Sequence, residues 1–241
     1  FYTVPKNLSY NKISVYAYFV KPSEAVSIKA SLLKEEILVF IATEQYYNDN
    51  AANKLMFSAQ AVRLVRTKLS KELFLKVAMF TDGYTENQLN AVANAILNYN
   101  KNATFIRINT VDQLINLINS GSRDSSAIDP KRRVKEIYAF SHGIVRDTNE
   151  GVIAFGYNGK NYKKQELDNV GFSNVKKEVF LENNKTNFYS YACRTGIGTA
   201  SETTSDPVKI NSLAQKIANH GKITVYAYMR RSQYEYTWGT S

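Results

Sequence analysis

The chain has 241 residues, 44% of them hydrophobic and 22% charged, with only four prolines; this excludes disordered and fibrous classes and leaves enough chain for a sizeable core without staples. The single cysteine, Cys193, excludes an intramolecular disulfide, and with only two histidines at no recognisable ligand spacing it excludes a zinc cluster. Lys and Arg outnumber Asp and Glu by 31 to 21, a net +10 that favours polyanionic partners such as nucleic acid, phosphorylated ligands or an acidic substrate.

The longest apolar runs, such as Ile37 to Ala42, fall far short of the ~20 residues that span a bilayer, so no membrane partner is expected. The opening FYTVPKNLSY has neither a Met nor the layout of a signal peptide. We therefore expect a piece of a longer protein working in a reducing compartment, the cytoplasm, including that of a cell into which it is delivered. The 17 Tyr and 12 Phe offer faces for stacked bases, but most sit in strand-like runs where sheet packing accounts for them.

ISVYAYFV (13–20) reads as a strand, and residues 1–34 as an N-terminal strand and connection ahead of one α/β domain over 35–241. ILVFIAT (37–43) is a continuous apolar run, the pattern of a strand buried on both faces of a parallel sheet. Leu55, Ala59, Val62, Val65 and Leu69 then recur at helical spacing over 51–70. VAMFT (77–81) is the second strand, and Thr85 to Gln88 has capping-box spacing ahead of a helix through Leu89, Val92, Ile96 and Leu97.

ATFIRI (103–108) is the third strand, and Thr110 to Gln113 forms a second capping box before Leu114, Leu117 and Ile118. The small, polar and basic stretch 121–133 reads as an exposed loop, a mobile connection or a processing site. IYAF (137–140) is the fourth strand, followed by Ser141-His142-Gly143 and a polar segment with a hairpin through Asn158-Gly159. FYSYA (188–192) is the fifth strand and runs into Cys193. Asp206-Pro207 opens a helix that Gly221 stops, and ITVYAY (223–228) is the sixth strand. Strands alternating with amphipathic helices demand right-handed crossovers, so the expected fold is a three-layer α/β/α sandwich around a six-stranded, mostly parallel sheet.

In such sheets the ligand crevice lies at the carboxyl ends of the strands. Cys193 and His142 each stand at that end of a predicted buried strand. If the two strands are neighbours, their backbones lie about 4.8 Å apart and both side chains reach one crevice. A thiol needs such a base, because the thiolate is the nucleophile and a departing amine must receive a proton. Gly143 leaves its N–H unshielded as an oxyanion donor, with the N–H of Cys193 as the natural second. The bland alternatives are a small buried thiol and a satisfied polar histidine. Joint placement favours chemistry, since Cys193 follows His142 by 51 residues, the spacing of the caspase pattern.

SHG at 141–143 together with YACRTG at 191–196 resembles the caspase-like cysteine peptidases (clan CD), which include caspases, metacaspases, legumain, gingipains, separase and CHAT-domain proteases. The run ACRTGIG (192–198) is similar to the Ala-Cys-x-Thr-Gly-x-Gly run of CHAT proteins. The likeness covers about 35–230 in element order and two short motifs in identity. It implies a caspase-like fold and a cysteine endopeptidase, with Cys193 as nucleophile, His142 as general acid/base and Gly143 as oxyanion donor. It also implies a protein or peptide substrate and no cofactor or metal. A protease module of a larger bacterial effector or toxin, with a possible anionic activator, is the context it suggests.

Tyr191 stands where caspases have Gln and where metacaspases and legumain have an acidic residue. With Arg230 and Arg231 at the end of the last strand, it is expected to border the substrate pocket and to disfavour a basic side chain there. The alternative function is a catalytically silent relative, or a basic α/β module binding nucleic acid or inositol phosphates. The segment after Cys193 reads as a Gly/Thr/Ser loop as far as Asp206, which offers the thiol no helix N-terminus. His220, in the last turn of a helix, reads as a dipole-compensating residue, and Glu44 and Asp82 as crevice or turn residues. Lys131, Arg132 and Arg133 form a basic run that reads as a solvated face.

Overall fold

A computed structural model describes residues 35–43, 54–120, 132–146, 151–156, 162–198 and 211–231. Its core is a six-stranded sheet in the order β3-β2-β1-β4-β8-β9, built from Glu35–Ile41 (β1), Leu75–Phe80 (β2), Thr104–Ile108 (β3), Arg133–Phe140 (β4), Asn187–Ser190 (β8) and Thr224–Ala227 (β9). Every neighbouring pair is parallel, with Val39 opposite Val77 on one side and Tyr138 on the other. Continuous apolar runs make this possible: Leu38, Val39, Phe40 and Ile41 in β1 and Val77 to Phe80 in β2 are fully buried, because helices cover both faces.

Strand order explains where the helices lie. The described strands begin in the middle of the sheet, step outward to β3, return beside β1 as β4, and then step the other way to β9. With right-handed crossovers, the first direction of travel puts Met56–Leu64 (α1) and Glu86–Tyr99 (α2) on one face, and the second puts Val111–Ser120 (α3), Asn169–Ser173 (α4) and Leu213–Gly221 (α5) on the other. The packing of α1 on α2, and of α4 on both α3 and α5, follows that division. The result is the expected three-layer α/β/α sandwich. Among the described residues, no helix is long and apolar enough to cross a membrane.

Local signals in the helices work as read. Thr85 Oγ1 accepts from the Gln88 backbone while Gln88 Oε1 accepts from the Thr85 N–H, and Thr110 with Gln113 repeats the arrangement. Other features differ from the sequence reading. In α1 the buried stripe is Phe57, Ala61 and Leu64, with Ala59 exposed, and the helix widens into a π turn over Val65–Leu69 that keeps Val65 and Leu69 inward. The large Phe57 ring sets the rotation of the helix. Leu97 of α2 is 38% exposed rather than inward.

Arg133 belongs to β4 rather than to the preceding loop, because the parallel pairing with β1 extends back to Glu35 opposite Arg133. Helix α5 is capped by Ser212, whose side chain accepts from the Gln215 N–H, so the described helix starts there and not at Asp206-Pro207. The left-handed residue that closes it is Lys222 (φ 50°), one place beyond Gly221. The strand expected at 13–20, Glu44, the loop 121–131, the turn at Asn158-Gly159 and Asp206-Pro207 lie outside the described residues.

The chain between β4 and β8 forms a second, antiparallel sheet of His142–Val145 (β5), Gly151–Ala154 (β6) and Glu166–Leu167 (β7). It lies over the carboxyl ends of β1, β2 and β3. The Thr43 N–H donates to the Phe155 carbonyl, and buried Gln165 donates from Nε2 to Asp82 Oδ2 (2.7 Å) and to the Asn109 carbonyl (3.2 Å). Asp82 is thereby a structural anchor for this sheet. Phe155 stacks on Phe80 with centroids 4.7 Å apart.

Candidate active site

The direction of travel through the main sheet reverses between β1 and β4, and that switch point is where an open α/β sheet leaves a crevice at its carboxyl edge. His142 is the second residue past β4, and Cys193 the third past β8. β4 and β8 are hydrogen-bonded neighbours, with Ala139 opposite Ser190, so the condition for a shared crevice is met in the main sheet.

The closest geometric link between the two motifs is Gly143. A Cβ added there would stand 2.5 Å from the backbone nitrogen of Cys193, 2.6 Å from its carbonyl carbon, and nearer still to its carbonyl oxygen. No side chain fits that gap. The backbones of the two motifs therefore touch directly, and His142, the neighbour of Gly143, is held beside the turn that carries Cys193.

His142 opens strand β5 opposite Ala154. Phe57, fully buried on α1, meets its imidazole edge to face with centroids 5.0 Å apart and planes at 87°. Burial lowers the His142 pKa from its ordinary 6.5 to about 4. The imidazole is consequently neutral at neutral pH, the form that accepts a proton from a thiol.

The same shift has a consequence for stability. Between pH 6.5 and about 4 the unfolded chain binds a proton at His142 that the folded chain refuses, so this contribution is present above 6.5 and is lost as pH falls through that window. Urea midpoints measured at about pH 7 and about pH 4.5 should drop more in the wild type than in His142→Gln, and equal drops would show that the imidazole is not desolvated.

Cys193 sits in a tight turn that begins as the chain bends at Ala192. Arg194 takes a left-handed backbone (φ 57°), a conformation costing of order 1 kcal/mol for a residue of its type and tolerated where the surroundings enforce it. The enforcement is visible on both sides. The Gly196 and Arg194 N–H groups donate to the Tyr228 and Arg230 carbonyls (2.9 and 3.4 Å), and the Ala214 N–H, in the first turn of α5, donates to the Thr195 carbonyl (3.0 Å). Within the turn, the buried Thr195 hydroxyl meets the Ala192 carbonyl (3.1 Å) and the Ser190 hydroxyl (2.9 Å).

The bend at Ala192 also ends the strand alternation that would relate Tyr191 to Cys193, so period-two geometry does not put their side chains on one face. Tyr191 stacks on Phe140 (4.7 Å) and meets Tyr228 at a tilt (6.5 Å, 51°); Tyr138, Tyr189 and Tyr226 form a stack across three strands. Burial pushes the Tyr191 hydroxyl up to about 12, keeping it neutral. Arg230 and Arg231 are exposed just beyond β9, and the Arg230 backbone borders the Cys193 turn while its side chain faces solvent. His220 Nε2 lies 2.8 Å from the Val175 carbonyl, far from this crevice and in a packing role against Phe172.

Sequence reasoning assigned no role to Phe57, to Ser190 or, beyond its place in the ACRTGIG run, to Thr195. Each acts through a contact with a residue on another element or on the far side of a turn, which no local pattern encodes. No family model and no curated protein matches the sequence.

Proposed function

We propose that the chain is a cysteine endopeptidase of caspase-like architecture. The observation that carries this reading is the direct backbone contact of Gly143 with Cys193, which brings the two motifs together at the carboxyl ends of the adjacent parallel strands β4 and β8. Neutral His142 takes the proton from Cys193 as its sulfur attacks the scissile carbonyl carbon, and the C–O π pair becomes the oxyanion. The N–H groups of Cys193 and Gly143 are the donors assigned to that oxygen. Collapse of the intermediate breaks the C–N bond, the imidazolium gives its proton to the departing amine, and water hydrolyses the thioester.

Beside the nucleophile turn stand the apolar rings of Phe140, Tyr191 and Tyr228 and the exposed cations of Arg230 and Arg231. This environment supports an apolar, small or acidic side chain before the scissile bond and disfavours Lys or Arg. The substrate is accordingly a protein or peptide, and a reducing compartment keeps the thiol competent.

The test is labelling with a peptide acyloxymethyl ketone, read by intact mass. One adduct per chain, mapped to Cys193 and absent in His142→Ala, is the expected result. A chain that stays unlabelled, or that labels equally without His142, overturns the peptidase and leaves the silent or anion-binding module.

A further inference from the structure

We propose that Ser190 and Thr195 are positioning residues, whose hydroxyl chain locks the Cys193 turn to the rigid end of β8. The inference rests on the peptidase reading for its purpose, but its geometry stands apart from it. Ser190 is the last residue of β8 and is fixed on both sides, opposite Ala139 of β4 and Ala227 of β9. Both hydroxyl-bearing residues are buried, at 4% and 1% exposure, so water does not serve their bonds.

Proton directions follow from chemistry. The Ala192 carbonyl can only accept, so the Thr195 hydroxyl hydrogen is committed to it (3.1 Å). Thr195 Oγ1 must then accept from Ser190 (2.9 Å), whose hydroxyl is the donor at the head of the chain. The chain runs from the sheet, through Thr195, to the carbonyl of the residue before Cys193. It spans the turn, pinning positions 192 and 195 while Cys193 and left-handed Arg194 lie between them. The Thr195 backbone is held independently by the Ala214 N–H, so the hydroxyl's own work is to fix Ala192, and with it the direction in which Cys193 leaves the strand.

Thr195→Val keeps the shape and removes the hydroxyl, leaving the Ser190 proton and the Ala192 carbonyl without this partner. Because a nucleophile misplaced by about 1 Å loses about 10²-fold in rate, we expect Thr195→Val to lower kcat by about 10- to 10²-fold with KM little changed. Thr195→Ser, which retains the hydroxyl, should restore most of the rate. Ser190→Ala should give a smaller loss and add little in the double variant, since the two hydroxyls act as one unit.

The deciding measurement is the second-order rate of Cys193 alkylation by iodoacetamide in the folded full chain, compared at equal fractions folded by urea denaturation. A fall in Thr195→Val that Thr195→Ser reverses supports the inference, and it does so whether or not the wild type cleaves peptides; peptide turnover separately tests the peptidase reading. An unchanged alkylation rate in a folded Thr195→Val overturns it, as does a loss that Thr195→Ser fails to restore. Should Thr195→Val not fold, the same comparison of Ser190→Ala with the wild type decides the matter.

Discussion

Replacing Cys193 or His142 by alanine should each cut peptide turnover by more than ~10³-fold while the chain stays folded. The size follows from dependence in the proposed mechanism: without the thiol there is no acyl-enzyme, and without the imidazole the thiol proton and the departing amine lose the base and acid assigned to them. Retention of the fold follows from position. Cys193 is partly exposed in a turn, and trimming it leaves the backbone bonds of Gly196, Arg194 and Ala214 intact. His142 is more costly, because its ring fills space beside Phe57, yet its removal also relieves the burial of a titratable group. Steady-state cleavage of a peptide pool, with circular dichroism as the folding control, checks both variants. Turnover at the wild-type level in either one removes that residue from the mechanism, and the double variant should be no worse than the more damaged single one.

The features legible in the sequence were those whose cause is local. Apolar runs at 37–42, 77–80 and 137–140 can be satisfied only between two layers, so they became β1, β2 and β4; capping boxes at Thr85 and Thr110 started α2 and α3. The site was half legible, because His142 and Cys193 follow buried strands and chemistry restricts what such a pair can do. What remained hidden depends on contacts distant in sequence. GVIA at 151–154 is entirely buried, yet it looks like one arm of a solvated hairpin until the carboxyl ends of β1 to β3 are known to need a cover. Helical spacing alone favoured Leu55 and Ala59 for the core, and Phe57 overrode that choice because the larger ring gains more from burial.

Gly143→Ala should be the most damaging single change outside the dyad, and the reason is steric before it is catalytic. The new methyl would sit within 2.6 Å of three Cys193 backbone atoms, and backbone, unlike the end of a flexible side chain, has little room to retreat. On one side Gly143 is paired with Ile153 of β6; on the other the Cys193 turn is clamped to Tyr228, Arg230 and α5. Relief must come from separating the two motifs. Overpacking of this kind costs about 1–3 kcal/mol, a fall of roughly 2–12 °C in melting temperature for a chain of this size. The same separation moves His142 from Cys193, and an ångström of misplacement costs about 10²-fold in turnover. Gly151 supplies the control, since it lies in the neighbouring strand and a Cβ there meets nothing nearer than 3.5 Å. Gly151→Ala should therefore keep both melting temperature and turnover near wild type, with any change a slight gain from a stiffer unfolded chain. Differential scanning calorimetry and peptide cleavage on the two variants side by side test the contact: if Gly143→Ala costs no more than Gly151→Ala, the backbones of the two motifs do not touch, and the pairing of His142 with Cys193 loses its structural cause.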